Sequence, residues 1–162
     1  MIDINTNPKE IVGNRNQIEC NFIFALWQRP DDIEVYKNIE NGKDIITEDG
    51  IFYYGVLKQL YKLGYENFDS ATLYTFFSDK DELRHGYERR GGYSTIDEIK
   101  SLIQSENLES YYDELVKNNM LVNLYNSGFN IIKDIGKLRE MTSDEVYDYY
   151  DYLLNNMCVG KV

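Results

Sequence analysis

Pro8 and Pro30 are the only prolines in this chain, so everything beyond residue 30 is proline-free. Proline removes a backbone donor and clashes with the preceding turn, so its absence lets helices run uninterrupted. Apolar side chains in this stretch recur at steps of three and four, as in Phe52, Val56, Leu60 and Leu63. The short β-branched groups show no alternation of period two, so no strand is expected. The pattern predicts an all-α chain of about six to eight helices, with no internal repeat of roughly 20 to 50 residues.

The chain has 162 residues, the size of one ordinary domain, and is 43% hydrophobic with 15 tyrosines. That is enough apolar surface to bury a core without disulfides or metal. The formal charge of −11 repels phosphate backbones, so this chain alone is expected to bind DNA weakly or not at all. Cys20 and Cys158 lie far apart and fit no metal-ligand spacing. Two isolated thiols suit a reducing, intracellular setting. The opening "MIDINTNPKEIVGNRNQ" holds no apolar run of a signal peptide, and no stretch approaches the ~20 apolar residues of a membrane span. A cytoplasmic location without membrane contact is the expectation.

Residues 1–13 read as a flexible lead. Asn14 can cap a helix carrying Ile18, Phe22, Ala25 and Leu26, which Pro30 ends. Thr47 can cap the next helix, with Gly64 as its stop, and Asp69 can cap "SATLYTFFSD". The polar, Gly-rich "DELRHGYERRGGY" reads as a loop or frayed turn. Thr95 and Glu98 have the spacing of a capping box, as do Thr142 and Glu145. Between them, residues 107–138 form the longest periodic segment. Leu108, Leu115, Val122 and Phe129 repeat every seven residues, with Tyr111, Tyr125 and Ile132 as a second row that Asn118 breaks. The final helix, "TSDEVYDYYDYLLNNM", places Val146, Tyr149, Tyr150, Leu153, Leu154 and Met157 at helical steps.

Reactive constellations are sparse. His85 is the only histidine and sits among polar residues. The carboxylate pairs Asp31–Asp32, Glu48–Asp49 and Asp144–Glu145 fall at helix starts, where negative charge favours the helix dipole. "VGKV" at 159–162 lacks the upstream glycine and the hydroxyl residue of a phosphate-binding loop. No catalytic, metal or cofactor site is therefore expected in this chain. Arg84, Arg89 and Arg90, with Tyr87 and Tyr93 interleaved, are the one basic cluster. It suits surface salt bridging, a partner contact or, weakly, single-stranded nucleic acid.

The order of these features resembles the N-terminal domain of DnaB-type replicative DNA helicases, including phage-encoded versions. The matching stretches are "QIECNFIFAL" at 17–26, "DGIFYYGVLKQLYKLG" at 49–64, and "FDSATLYTFF" at 68–77 with Asp69, Thr72 and Leu73. They continue with "GGY" at 91–93 and "NLESYYDELVKNNMLVNL" at 107–124. The likeness covers residues 14–138. The loop near 78–90 is more basic than the family's, and basic residues common near 121–124 are replaced by Leu-Val-Asn-Leu.

The resemblance implies a compact helical head over 14–138 ending in a long α-hairpin, and a linker helix over 139–162. It implies a non-catalytic assembly domain that pairs with itself, as a dimer or within a hexameric ring, and binds primase and in some systems a helicase loader. ATP and magnesium are then expected only in a separate motor domain. The hairpin seam for self-association is Leu115, Val122, Tyr125, Phe129 and Ile132, which would bury apolar area between protomers or within the hairpin itself. The docking stripe of the linker helix is Val146, Tyr149, Tyr150, Leu153, Leu154 and Met157; alternatively this helix packs back on its own domain. A free-standing phage or plasmid regulator of a host helicase or primase is the other functional reading.

Overall fold

Local sequence signals set several helix boundaries. The structure, a computed structural model, describes residues 7–159, with side chains described through Tyr152. Helix α2 (Arg15–Trp27) ends just before Pro30, and a 3-10 turn (Pro30–Tyr36) follows. Helix α3 (Glu48–Lys62) starts where the Thr47 hydroxyl accepts the Gly50 N–H at 3.0 Å. Helix α4 (Ser70–Phe77) starts where Asp69 accepts the Thr72 N–H at 2.8 Å. Helices α5 (Asp81–Arg89) and α6 (Gly92–Leu102) precede the longest one, α7 (Leu108–Asn126). A 3-10 turn (Ile132–Asp134), short α8 (Ile135–Arg139) and α9 (Ser143–Val159) complete the order. No β-sheet forms among the described residues, so the fold is all-α.

Several expectations need correction. The lead is not loose throughout: residues Lys9–Val12 make a helical turn, α1, and Ile11 is buried. Asn118 Nδ2 donates to the Ile11 carbonyl at 2.6 Å and Arg139 to the Glu10 carbonyl at 2.6 Å, so distant side chains fasten it. The loop expected at 81–93 is mostly helix: α5 takes Asp81–Arg89 and α6 begins at Gly92. In α5, Arg84 pairs with Asp81 one turn earlier at 2.9 Å, and Tyr87 stacks on Phe77 with ring centroids 4.4 Å apart. Thr95 does not cap α6, which begins three residues earlier; its hydroxyl instead donates to the Arg90 carbonyl at 2.7 Å. The Thr142–Glu145 box does form, with both reciprocal bonds at 3.2 Å.

The periodic segment 107–138 is not one helix. Gly128 adopts φ 98°, and the Phe129 N–H reaches the Leu124 carbonyl while the Gly128 N–H reaches that of Tyr125, both at 3.1 Å. This is a Schellman stop, which needs a left-handed residue that only glycine adopts without strain. The chain then turns back along α7 without making a second long helix. Ser143 donates to Asp113 near the start of α7, whereas Tyr150 packs on Phe129 just past its end. Helix α9 therefore runs in the same direction as α7, and the return arm between them is the broken segment 127–142.

Two apolar clusters result. The head core gathers Phe22, Phe24, Trp27, Tyr54, Leu57, Leu73, Phe77 and the first half of α7 through Leu108 and Leu115. The second cluster joins Ile11, Leu121, Val122, Ile131, Leu138, Val146 and Tyr150. Helix α7 runs through both. Where it passes from one to the other, it carries the buried polar residues Lys117, Asn118 and Asn119.

Candidate interaction surface

Between the clusters lies a polar latch that the sequence reading did not single out. Arg15 is 1% exposed and Glu19 0% exposed, one turn apart on α2. Arg15 Nε donates to Glu19 Oε2 at 2.8 Å, and its terminal nitrogens donate to Asn118 Oδ1 at 2.8 Å and the Asp44 carbonyl at 2.5 Å. Glu19 also accepts the Ile46 N–H at 2.9 Å and the Thr47 hydroxyl at 2.5 Å. Nearly every polar atom of the pair is matched, which is the condition for burying charges. Burial lowers the Arg15 pKa from its usual value, opposed by Glu19. Lys117 Nζ in turn donates to the carbonyls of Arg139 and Met141, each at 3.0 Å, and holds the return arm. The signal available in sequence was the Arg-x-x-x-Glu spacing at 15–19, which reads identically on an exposed helix face.

The residues expected to form the self-association seam are brought together only in part, and they face inward. Leu115 and Val122 are fully buried within the chain, Leu115 in the head core and Val122 in the second cluster. Tyr125 and Phe129 are half-buried against that second cluster. Ile132 lies off the line of α7, 37% exposed at the start of the 3-10 turn. Leu115 and Val122 thus bury their area within the chain, the second of the two expected arrangements: the glycine stop removes Ile132 from register, and the return arm and α9 cover Val122.

The stripe of α9 likewise packs back on its own chain at its first half. Val146 and Tyr150 are buried, and Tyr149 is half-buried beneath Lys137, whose ammonium lies 4.6 Å from the ring centroid. Leu153, Leu154 and Met157 lie outside the residues whose side chains are described. What α9 leaves exposed is its other flank, with Tyr147 and Tyr152. A groove of about 350 Å³ runs there between α7 and α9, lined by Met120, Asn123, Leu124, Tyr147, Tyr150 and Asp151.

The arginine cluster is mostly neutralised. Arg84 pairs with Asp81 and approaches Glu88 at 3.9 Å. Arg90 donates to Asp49 at 2.8 Å and lies over the Phe52 ring at 4.3 Å, clamping α5 onto α3. Arg89 is exposed. His85 is exposed on α5.

Two cavities flank α2. One, of about 530 Å³, lies among α2, α3 and α6 and includes Cys20, Asp49, Tyr53 and Arg90. Burial, and then Asp49, push the Cys20 thiol up to about 11, so it is a poor nucleophile at neutral pH. Burial pushes the Tyr53 phenol up to about 12, and its hydroxyl meets no partner among the described residues. The other cavity, of about 580 Å³, lies among α1, α2, α7 and α8, with Lys117, Asn118 and Arg139 on its wall. Among the described residues no group of three or more His, Cys, Asp or Glu side chains is placed to hold a metal ion. No helix among them is long and apolar enough to cross a membrane. Comparison with protein-family models, with curated proteins and with solved structures returned no match for this chain.

Proposed function

We propose that this chain is a non-catalytic assembly and protein-interaction domain of a DnaB-type replicative helicase, a part of the collar that meets primase or a helicase loader. The observation that carries this reading is the way the ordered motifs fall on the boundaries of the helical fold. "QIECNFIFAL" lies inside α2, and "DGIFYYGVLKQLYKLG" fills α3 up to Gly64, its left-handed stop at φ 90°. Asp69 caps α4, the Gly91–Gly92 turn opens α6, and Asn107 precedes α7. ATP and magnesium belong, in this reading, to a separate motor domain.

With Leu115 and Val122 inside the chain, self-association falls to other apolar side chains. Leu63, Tyr74 and Leu102 are exposed on the head. Sedimentation equilibrium at micromolar concentration is expected to give dimers or larger species. A monomer throughout the accessible range overturns the assembly role. Reading the gene beyond Val162 gives an independent check: an in-frame Gly-x-x-x-x-Gly-Lys-Ser/Thr supports the helicase, and an immediate stop codon shifts the reading to a free-standing regulator.

A further inference from the structure

The groove between α7 and α9 has a composition that selects its occupant. Its floor is apolar, made by Met120, Leu124 and the ring of Tyr150, with Tyr147 standing 61% exposed at its edge. Its walls are two helices that run side by side in the same direction, so the trough suits the long axis of a third helix. Among the described residues no lysine or arginine lines it, and Asp151 carries the one charge on its wall. Asp144, Tyr147 and Asp151 follow one another at helical steps along the same flank of α9. Between Ser143 and Val159 that helix carries Asp144, Glu145, Asp148 and Asp151 and no basic side chain. Lys137, on the return arm, lies over the Tyr149 ring on the opposite flank of α9.

The geometry points to this groove as a docking site for a basic amphipathic helix of another protein, one with apolar residues at i, i+3, i+4 and i+7 flanked by Lys or Arg. The apolar stripe fills the floor, and the cations meet the α9 carboxylates. A second copy of this chain is the wrong occupant. Groove against groove sets the acidic flank of α9, with Asp144 and Asp151, against the acidic flank of the other copy with no lysine or arginine on that helix to offset it. The inference rests on the reading of the chain as a protein-interaction domain and names the chemistry of one of its partners.

The test uses the full chain and a fluorescein-labelled model peptide of about five helical turns, with leucine at the stripe positions and lysine elsewhere. Two controls are a scramble of the same composition and a version with glutamate for lysine. Anisotropy titrations are expected to show the Leu/Lys helix binding at least about tenfold more tightly than the scramble, and the glutamate version not binding. Asn123→Arg and Tyr147→Ala change exposed groove residues and are each expected to weaken binding about tenfold. Tyr74→Ala, on the head, is expected to leave it unchanged. Equal binding of the scramble reduces the effect to the net charge and overturns the proposal. So does an unchanged titration with Asn123→Arg, or a dimer that this substitution dissolves. The two readings fail separately. A chain that self-associates but ignores the peptide loses only the groove, and a monomer that binds the peptide loses only the assembly role.

Discussion

Arg15 and Glu19 are the residues on which the two halves of the molecule meet. Substituting Arg15→Leu removes the guanidinium but leaves the Glu19 carboxylate 0% exposed and the Asp44 carbonyl with only the longer bond from Asn119, at 3.4 Å. An uncompensated buried charge destabilises by about 3–5 kcal/mol. Urea denaturation should show that loss, and the double substitution Arg15→Leu with Glu19→Leu should recover part of it. A single variant as stable as the parent contradicts the latch. Cys20 gives a second test at this scale. With its pKa at about 11 against an ordinary 9.0, its thiolate fraction near pH 8 is about a hundredfold lower than that of a free thiol. In a Cys158→Ser background, thiol labelling at pH 8 should be slower by that order and should accelerate on unfolding. Neither residue was legible in sequence as what it is. An Arg and a Glu one turn apart look the same inside or outside, because burial depends on what other segments bring.

At the scale of elements, two glycines with opposite roles test the description of the second cluster. Gly128 sits at φ 98° and terminates α7, so Gly128→Ala forces a left-handed alanine and destabilises by about 1–2 kcal/mol. Gly136 lies in α8 with open space where a Cβ would point, so Gly136→Ala stabilises by about 0.4–1 kcal/mol. Thermal melts of the two variants should move in opposite directions. The caps at Thr47, Asp69 and Thr142 were readable in advance, because a cap is a contact between residues three apart. The helical state of 81–90 was not, because its polar sequence hides an inward face of Leu83 and Tyr87 that exists only against Phe77 and Phe52.

At the scale of the whole molecule, α7 is the shared member of both clusters, so the two should not melt apart. Trp27, the chain's only tryptophan, reports on the head, and far-UV circular dichroism reports on every helix. The two urea transitions are expected to coincide, and separated midpoints refute the coupling. The alkaline limb of stability follows from burial. Tyr53, Tyr54 and Tyr87 have phenols raised from 10.0 to about 12, chiefly by desolvation. The folded state therefore holds these protons more tightly than the unfolded one. The associated stability is fully present below about pH 10 and is lost as the pH rises to about 12. Denaturation midpoints taken across that window should fall, and a flat profile contradicts the burial of these hydroxyls.

The sequence by itself determined the all-helical class, the caps of α3, α4 and α9, and the Gly64 stop, because each depends on neighbours within a turn or two of chain. The heptad of Leu108, Leu115 and Val122 likewise announced a buried face. Which surface covers that face was decided only by the tertiary structure. The return arm is broken at Gly128, α9 lies along α7 in the same direction, and the seam is spent inside the chain. Periodicity records that a side is apolar and carries no information about whether its cover comes from the same chain or another, since water is excluded equally by both.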